Sequence, residues 1–368
     1  MIFPSFVKFK QGMNIEMFIV RIIEAKKVCF FAKSIRGVLY IVSLLFRVIV
    51  SFKNLLYSCR ILKEKEAKLP TVCVGNIVAG GVGKTPFVEM LVNDLALENT
   101  AVISRGYRSL GASRKNVLRP VDANYCGDEA FLLQRKMPKT LVLVSRNRKL
   151  AIDAAIRRGA EIAILDDGMQ SRSLKKQVLI ALVNAKDPFG KGYFLPRGYL
   201  RESPKALSRA DYICVTNVES KKQYDLLFQE LKKFTPAKIM GGKKQATGVC
   251  GQKSYSIEAL HRKKVGAFCG LGDPGQFFEM LSSLHLHVVE NKVLCDHKKL
   301  EEKALEDFIA KSKAEGAEFV LCTEKDYVKL DTERSYELPV CFLQIVFKVE
   351  YETKNYNDLL ASTLKLTN

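Results

Sequence analysis

The chain has 368 residues, 48% of them hydrophobic, so it is long enough for two domains with cores of ordinary size. Its ten cysteines stand singly without a C-x-x-C pair, which fits reduced, buried thiols and argues against a secreted disulfide framework and a zinc site. The formal net charge of +20 predicts an acidic partner.

The basic excess is concentrated near the N-terminus, beside a long apolar stretch. Residues 1–70 carry thirteen Lys and Arg against four Glu, a net charge of +9. The apolar stretch covers 38–61, but its longest uncharged run, 37–46, has only ten residues, and a spanning helix needs about 20. We therefore expect a helix that does not cross a bilayer.

The polar residues of this stretch would share one side of a helix. At about 100° per residue they form a narrow stripe, which consists of Arg36, Ser43, Arg47, Ser51, Asn54 and Ser58. Such an amphipathic helix is typical of a membrane interface, where basic flanks are attracted to anionic lipid. The alternative is a core helix that docks on the rest of the protein.

The most informative motif lies between a strand-like run at 72–74 and a helix-like run at 87–97. It reads Gly80-Gly81-Val82-Gly83-Lys84-Thr85, although Val78 stands where a strict motif has glycine. In phosphate-binding loops, backbone amides surround phosphate oxygens, the lysine reaches the β- and γ-phosphates, and the hydroxyl ligates Mg²⁺. The motif predicts a nucleoside triphosphate site with Lys84 and Thr85 in these two roles.

Beyond Pro70, short β-branched runs alternate with helix-like segments, which predicts a parallel sheet with crossover helices. The expected strands are 72–74, 101–103, 141–144, 162–165, 178–183 and 212–215. A glycine-rich and lysine-rich stretch then predicts a linker. A second α/β unit follows, with strands at 264–268 and 319–321 and a helix at 275–284.

Two acidic pairs are candidate site residues. Asp166 and Asp167 follow the apolar run 162–165, and P-loop enzymes place a carboxylate at this end of a buried strand to hold Mg²⁺. The pattern predicts a metal role for at least one of them. Asp128 and Glu129 begin a helix, where the helix dipole alone favours acids, so the chemistry leaves their role open.

Together these motifs resemble those of the tetraacyldisaccharide 4′-kinases of lipid A biosynthesis, over about residues 38–345. In order, the matching runs are Val74-Gly75-Asn76-Ile77, Gly80-Gly81-Val82-Gly83-Lys84-Thr85-Pro86, Ser104-Arg105-Gly106-Tyr107-Arg108, Gly127-Asp128-Glu129-Ala130, Asp166-Asp167-Gly168-Met169-Gln170, Leu200-Arg201-Glu202, Asp296-His297 and Thr323-Glu324-Lys325-Asp326. This combination is far more specific than the phosphate loop alone.

The resemblance implies transfer of the γ-phosphate of ATP to the 4′-hydroxyl of a tetraacylated glucosamine disaccharide 1-phosphate. It implies that Asp128 is the base facing the sugar hydroxyl and that His297 supports it from the second lobe. The carboxylates that it associates with Mg²⁺ are Glu129, Asp166, Asp167 and Glu202. It places the enzyme at the cytoplasmic face of the bacterial inner membrane. The expected partners are the lipid A precursor and an anionic membrane surface, and no nucleic acid is expected.

The predicted fold class is α/β, a P-loop NTPase-like parallel sheet with crossover helices, plus a second smaller α/β lobe and an N-terminal amphipathic helix. The expected divisions are a basic membrane-associating region at 1–68, a P-loop kinase domain at 69–240, a linker at 241–262, the second lobe at 263–345 and a C-terminal segment at 346–368. Closure of the two lobes would complete the site.

The chain departs from the family pattern in two motifs. Met169 and Ser171 stand where the family usually has Phe and His, so the role of that histidine does not carry over. In Leu195-Pro196-Arg197-Gly198-Tyr199, the extra Arg197 either contacts lipid phosphate or lies on a solvated face.

Two other functional classes remain as alternatives. A GTP-driven or ATP-driven switch protein would share the phosphate loop, and Asn184-Ala185-Lys186-Asp187 is similar to a guanine-reading Asn-Lys-x-Asp with its lysine displaced by one position. A nucleic-acid binder would share the basic charge. The basic residues cluster beside an apolar helix without interleaved aromatics, however, which favours lipid over bases.

Overall fold

The structure is a computed structural model that describes residues 15–24, 30–107, 109–294, 300–331 and 334–367. The described chain divides into two compact units. The smaller, the helical unit, contains the described residues up to Leu62 together with Ile77–Ala79 and Asp187–Pro204. The larger, the sheet unit, contains Lys63–Asn76, Gly80–Lys186 and the described residues from Lys205 onward.

Two helices begin the helical unit, α1 (Ile15–Glu24) and α2 (Phe30–Ser58). The Arg36 guanidinium joins them, because its Nε and Nη2 donate to the carbonyl oxygen of Ile22 at 2.9 and 2.6 Å. Two aromatic contacts fix α2 on the rest of this unit: Tyr40 with Tyr193 and Phe46 with Phe194, at ring centroid distances of 5.9 and 6.4 Å.

The polar and apolar sides of α2 have different surroundings. On the polar stripe, Ser43 is buried and Asn54 Nδ2 donates to Glu202 Oε2 at 2.9 Å. Seven large apolar side chains of α2 are more than half exposed: Val38, Ile41, Leu45, Val48, Ile49, Phe52 and Leu55. By length and composition α2 also suffices to cross a bilayer, although Arg47 and Lys53 fall within it. The helix thus docks through part of its stripe and exposes its apolar side.

The sheet unit contains one sheet of eleven strands in the order β3-β2-β4-β1-β5-β6-β7-β11-β10-β8-β9. The strands are β1 (Thr71–Gly75), β2 (Thr100–Ser104), β3 (Leu141–Val144), β4 (Ile162–Asp166), β5 (Val178–Asn184), β6 (Tyr212–Thr216), β7 (Lys238–Gly251), β8 (Lys264–Cys269), β9 (His287–Val293), β10 (Phe319–Thr323) and β11 (Val340–Tyr351). Neighbouring strands pair in parallel except β7 and β11, which are antiparallel.

The connections between strands are mostly helical, as parallel pairing requires. The helices of this unit are α3 (Lys84–Leu95), α4 (Ala123–Cys126), α5 (Asp128–Lys136), α6 (Arg148–Ile156), α7 (Lys221–Lys232), α8 (Gly275–Ser283), α9 (Glu302–Ala314), α10 (Glu324–Tyr327) and α11 (Thr353–Leu364). The expected α/β class is therefore confirmed.

The core follows from the apolar strands. Every residue of β1, β2, β4 and β6 is buried, as expected for parallel strands covered on both faces. The hydrophobic clusters around β1–β6 are separate from those around β8 and β10. The second set of strands thus has a core of its own within the continuous sheet.

The expected linker at 241–262 is wrong for its first part, because residues 241–251 belong to β7. This strand pairs with β6 on one side and with β11 on the other, so it carries the sheet from one set of strands to the next. A Cβ on Gly242 would collide with the backbone oxygen of Lys348 in β11. The glycine therefore permits close strand approach, and the glycine-rich pattern that predicts a linker belongs to a paired strand instead.

Candidate active site

The phosphate loop leads from buried β1 into the first turn of α3. Gly80 and Gly83 have φ of +116° and +83°, a left-handed region that favours glycine, and Gly83 is the residue before the helix. Thr216 Oγ1 of β6 donates to the carbonyl oxygen of Val82 at 2.9 Å and so fixes the loop. The helix N-terminus therefore presents unpaired amides and its positive dipole end at this position.

Lys84 is the first residue of α3, and its side chain returns toward the ends of β1 and β4. Its Nζ lies 3.4 Å from Asn76 Oδ1 and 3.5 Å from Asp167 Oδ1. Gln170 Nε2 donates to the carbonyl oxygen of Asn76 at 2.7 Å, which holds that turn in place. The structure thus brings the predicted lysine and one predicted carboxylate together at the edge of the sheet.

The carboxyl end of β4 carries a buried acid. Asp166 is the last residue of β4, and its Oδ1 has no hydrogen-bond partner among the described residues. Burial, above all, raises the pKa of Asp166 to about 7; the charge of Glu129 adds to the rise and that of Lys84 opposes it. The charges of four residues predicted from the sequence therefore interact at this end of the sheet: Lys84, Glu129, Asp166 and Asp167.

These oxygen ligands fit a magnesium ion whose coordination shell also includes phosphate oxygens of a nucleotide. Within the residues that the structure describes, no three His, Cys, Asp or Glu side chains stand close enough together to hold a metal by themselves. Mg²⁺ in nucleotide sites takes only one or two carboxylates, with water and phosphate oxygens as the other ligands. The unpartnered Asp166 Oδ1 has the chemistry of such a ligand, and Thr85 lies in the first turn of α3.

Glu202, the fourth predicted metal carboxylate, belongs to the helical unit. There it is buried and accepts the hydrogen bond from Asn54 described above. Its predicted role at the metal stays a prediction.

Asp128 begins α5 and lies against two lysines from the far part of the chain. Its Oδ2 is 3.3 Å from Lys329 Nζ and 3.7 Å from Lys325 Nζ, and all three side chains are nearly buried. Lys329 also lies 3.5 Å from Asp326 Oδ1. Buried ion pairs require good mutual positioning, so they hold the Asp128 carboxylate in one place. His297, its predicted supporting residue, lies outside the described residues.

The sequence reading missed the lysine partners of Asp128. Lys325 lies within a motif that predicts no role for it, and no sequence pattern marks Lys329. Their sequence distance from Asp128 is about 200 residues, and only the β10–α10 turn places them beside α5. Periodicity along the chain contains no information about such pairs.

Arg148 was missed as well, and it organises the carboxyl ends of two strands. Its buried guanidinium donates to the carbonyl oxygens of Ile103, Asp166 and Asp167 at 3.1, 2.7 and 2.9 Å. Asp167 has a φ of +52°, unusual for a residue with a side chain, and this bond helps to hold it there. Arg148 thereby fixes the backbone that carries the two carboxylates, Asp166 and Asp167.

We expect Arg148→Met to lower the free energy of unfolding by about 3 kcal/mol, because three buried carbonyl oxygens lose a charged donor. Urea-induced unfolding measures the change. Arg146→Met, two residues away and exposed, is the matched control and should unfold like the unaltered protein. Equal unfolding midpoints for the two variants would contradict this role.

The comparison with known proteins identifies the family. The model of the family described as Tetraacyldisaccharide-1-P 4′-kinase (LpxK) matches residues 35–365. The chain belongs to this family.

Individual members of the tetraacyldisaccharide 4′-kinase family are similar over most of their length. The enzyme of Chlamydia abortus is 35% identical over 299 residues, which is 79% of each chain. That of Syntrophus aciditrophicus is 32% identical over 357 residues, 89% of this chain and 92% of its own. A crystal structure of LpxK from Aquifex aeolicus in complex with ATP matches with a TM-score of 0.71 and 29% identity, over 91% of this chain and all of its own.

The positions at which this chain departs from the 4′-kinase pattern have ordinary structural surroundings. Met169 is buried, and a Cβ on Gly75 would lie 2.6 Å from its Cβ, so the methionine fills the space beside β1. Ser171 donates its backbone N–H to Gly168 O at 3.0 Å within the turn. The Arg197 guanidinium stacks on the Tyr193 ring at 4.5 Å.

Proposed function

We propose that this chain transfers the γ-phosphate of ATP to the 4′-hydroxyl of tetraacyldisaccharide 1-phosphate, a step of lipid A biosynthesis. The observation that carries this proposal is the phosphate loop with Lys84, the β4 carboxylates and Asp128 in one unit of a chain that belongs to the 4′-kinase family. The ATP complex of the Aquifex aeolicus relative supports ATP as the donor.

Each side chain has a defined task in this reaction. The amides of the loop and Lys84 bind the β- and γ-phosphates and stabilise the charge that spreads over the transferred group. Asp128 accepts the proton of the 4′-hydroxyl as the new O–P bond forms and the bond between the γ-phosphorus and the bridging oxygen breaks. ADP leaves with the electron pair of that bond, and the product is a phosphate monoester.

We further propose that Thr85, Glu129, Asp166 and Asp167 hold Mg²⁺ with the nucleotide. The ion would supply charge neutralisation at the β- and γ-phosphates. The unpartnered, buried Oδ1 of Asp166 supports this role, because a carboxylate oxygen is a ligand that Mg²⁺ prefers. His297 and Glu202 enter this proposal through the family resemblance alone.

We propose that α2 attaches the enzyme to the cytoplasmic face of the inner membrane, where its acylated acceptor lies. The exposed apolar side of the helix offers area for burial in lipid, and the basic residues around it favour anionic headgroups. Arg47 and Lys53 within the helix favour an interfacial position over a spanning one.

We expect the double variant Leu45→Glu and Ile49→Glu to weaken binding to phosphatidylglycerol-containing vesicles by about tenfold or more, because it removes apolar area and adds negative charge. Co-sedimentation at low and high salt measures this binding. The control is Leu110→Glu with Leu226→Glu, two exposed leucines of the sheet unit. If both double variants bound vesicles equally, the attachment surface would not be α2.

The alternative of a nucleotide-driven switch is less well supported by the geometry. Lys186, which would have to stack on the base, forms ion pairs with Glu279 at 2.6 Å and Glu219 at 3.2 Å. Measuring ATP and GTP consumption with and without the disaccharide acceptor separates the two functions. A kinase consumes ATP only with its acceptor. GTP consumption that ignores the acceptor would support the switch protein instead.

A further inference from the structure

A second lysine reaches the phosphate loop from β7. The side chain of Lys244 approaches Gly83, and its Cε is 3.7 Å from the point that a Cβ on Gly83 would occupy. Gly83 directly precedes Lys84, the cation already placed at the nucleotide phosphates. The strand that was expected to be a linker therefore brings a lysine side chain close to the loop.

The charge of Lys244 is not neutralised by a carboxylate. Its Nζ donates to Gln276 Oε1 at 2.9 Å, and no described carboxylate lies within ion-pair distance of it. Gln276 Nε2 in turn donates to Asp273 Oδ2 at 2.8 Å, so the amide oxygen faces the lysine. Burial lowers the pKa of Lys244, and Asp273 opposes this only from a distance. A half-buried cation without a carboxylate partner is stabilised by an arriving anion.

The neighbouring lysines differ in this respect. Lys186 is paired with two carboxylates, as described above. Lys243, on the opposite side of β7, lies 3.2 Å from Glu350 Oε2. Of these three lysines, only Lys244 combines a neutral hydrogen-bond partner with an approach to the loop.

We propose that Lys244 binds the β- or γ-phosphate of the nucleotide that occupies the loop, together with Lys84. This inference rests on the proposed function, because it assumes that the loop binds ATP. The acceptor also carries a phosphate, its 1-phosphate, which offers the same chemistry. The approach of its side chain to Gly83 favours the nucleotide as the source, and titration of the nucleotides against the disaccharide distinguishes the two.

The test is calorimetric titration of ATP, ADP and AMP into the full chain and into Lys244→Met, which keeps the length of the side chain and removes its charge. We expect the dissociation constant of ATP to rise about 10- to 100-fold, as for loss of a charged hydrogen bond, with a smaller effect for AMP. Lys243→Met is the matched control and should bind all three nucleotides normally. Lys244→Gln replaces the methionine variant if that variant does not fold.

Each result has a defined meaning. Unchanged ATP affinity in both Lys244 variants would overturn the inference while the proposed function stands. Equal losses for all three nucleotides would overturn it too, because AMP lacks the β- and γ-phosphates to which the inference assigns Lys244. A loss confined to the Michaelis constant of the disaccharide would assign Lys244 to the acceptor phosphate, again against the inference. Failure of the unaltered chain to bind ATP would contradict the proposed function itself.

Discussion

Lys84→Ala should abolish phosphoryl transfer in a folded protein, with kcat reduced about 10³-fold or more. Lys84 stands at the start of α3 between Asn76 and Asp167, so it can follow the γ-phosphate as negative charge spreads over it. Backbone amides remain in the variant, and some ATP binding should therefore survive. Steady-state kinetics with labelled ATP and the disaccharide acceptor measures the loss.

The control for this variant is Lys149→Ala, an exposed lysine on α6 of the same unit. Its turnover and thermal unfolding should match those of the unaltered protein. Turnover close to normal in a folded Lys84→Ala protein would show that the loop is not the phosphate site.

Asp128→Asn should reduce kcat about 10²- to 10⁴-fold, the range for loss of a general base, with little change in ATP affinity. The amide keeps the shape of the side chain and removes its ability to accept the hydroxyl proton. It also leaves Lys325 and Lys329 with one carboxylate fewer, so some stability should be lost. Pre-steady-state measurement of the chemical step, together with ATP titration, separates these effects.

Asp358→Asn provides the comparison for this second variant, because that partly exposed aspartate of α11 also pairs with a lysine, Lys238. It should leave kcat unchanged. If Asp128→Asn lost ATP binding and kept its turnover at saturating ATP, Asp128 would belong to the nucleotide or metal site and the base would lie elsewhere.

Local sequence signals were sufficient for the strands that pack on both faces. Runs such as 162–165 and 212–215 are short, apolar and bounded by turns, and each is a strand in the structure. β7 and β11 gave no such signal. Their residues alternate irregularly between buried and exposed positions, and β7 contains glycines that its close partner requires. Their existence depends on pairing between distant segments, which a single sequence does not display.

The residues of the candidate site also differ in whether neighbouring sequence alone predicts them. The phosphate loop and the β4 carboxylates were predictable because each consists of neighbouring residues at a strand end, where parallel sheets bind ligands. The pairing of Asp128 with Lys325 and Lys329 was not, since it joins α5 to a turn after β10. Lys244 was read as part of a linker for the same reason. Charge partners that meet only through tertiary structure need the fold before they can be recognised.

The most direct measurement is the position of the phosphate in the product. The enzyme would be incubated with γ-labelled ATP and tetraacyldisaccharide 1-phosphate, and the lipid separated by thin-layer chromatography and examined by ³¹P NMR. The account predicts one labelled phosphate monoester on the 4′-oxygen for each ADP formed, and no label in a 4′-deoxy acceptor. Label released as inorganic phosphate, or found on any other oxygen, would contradict it.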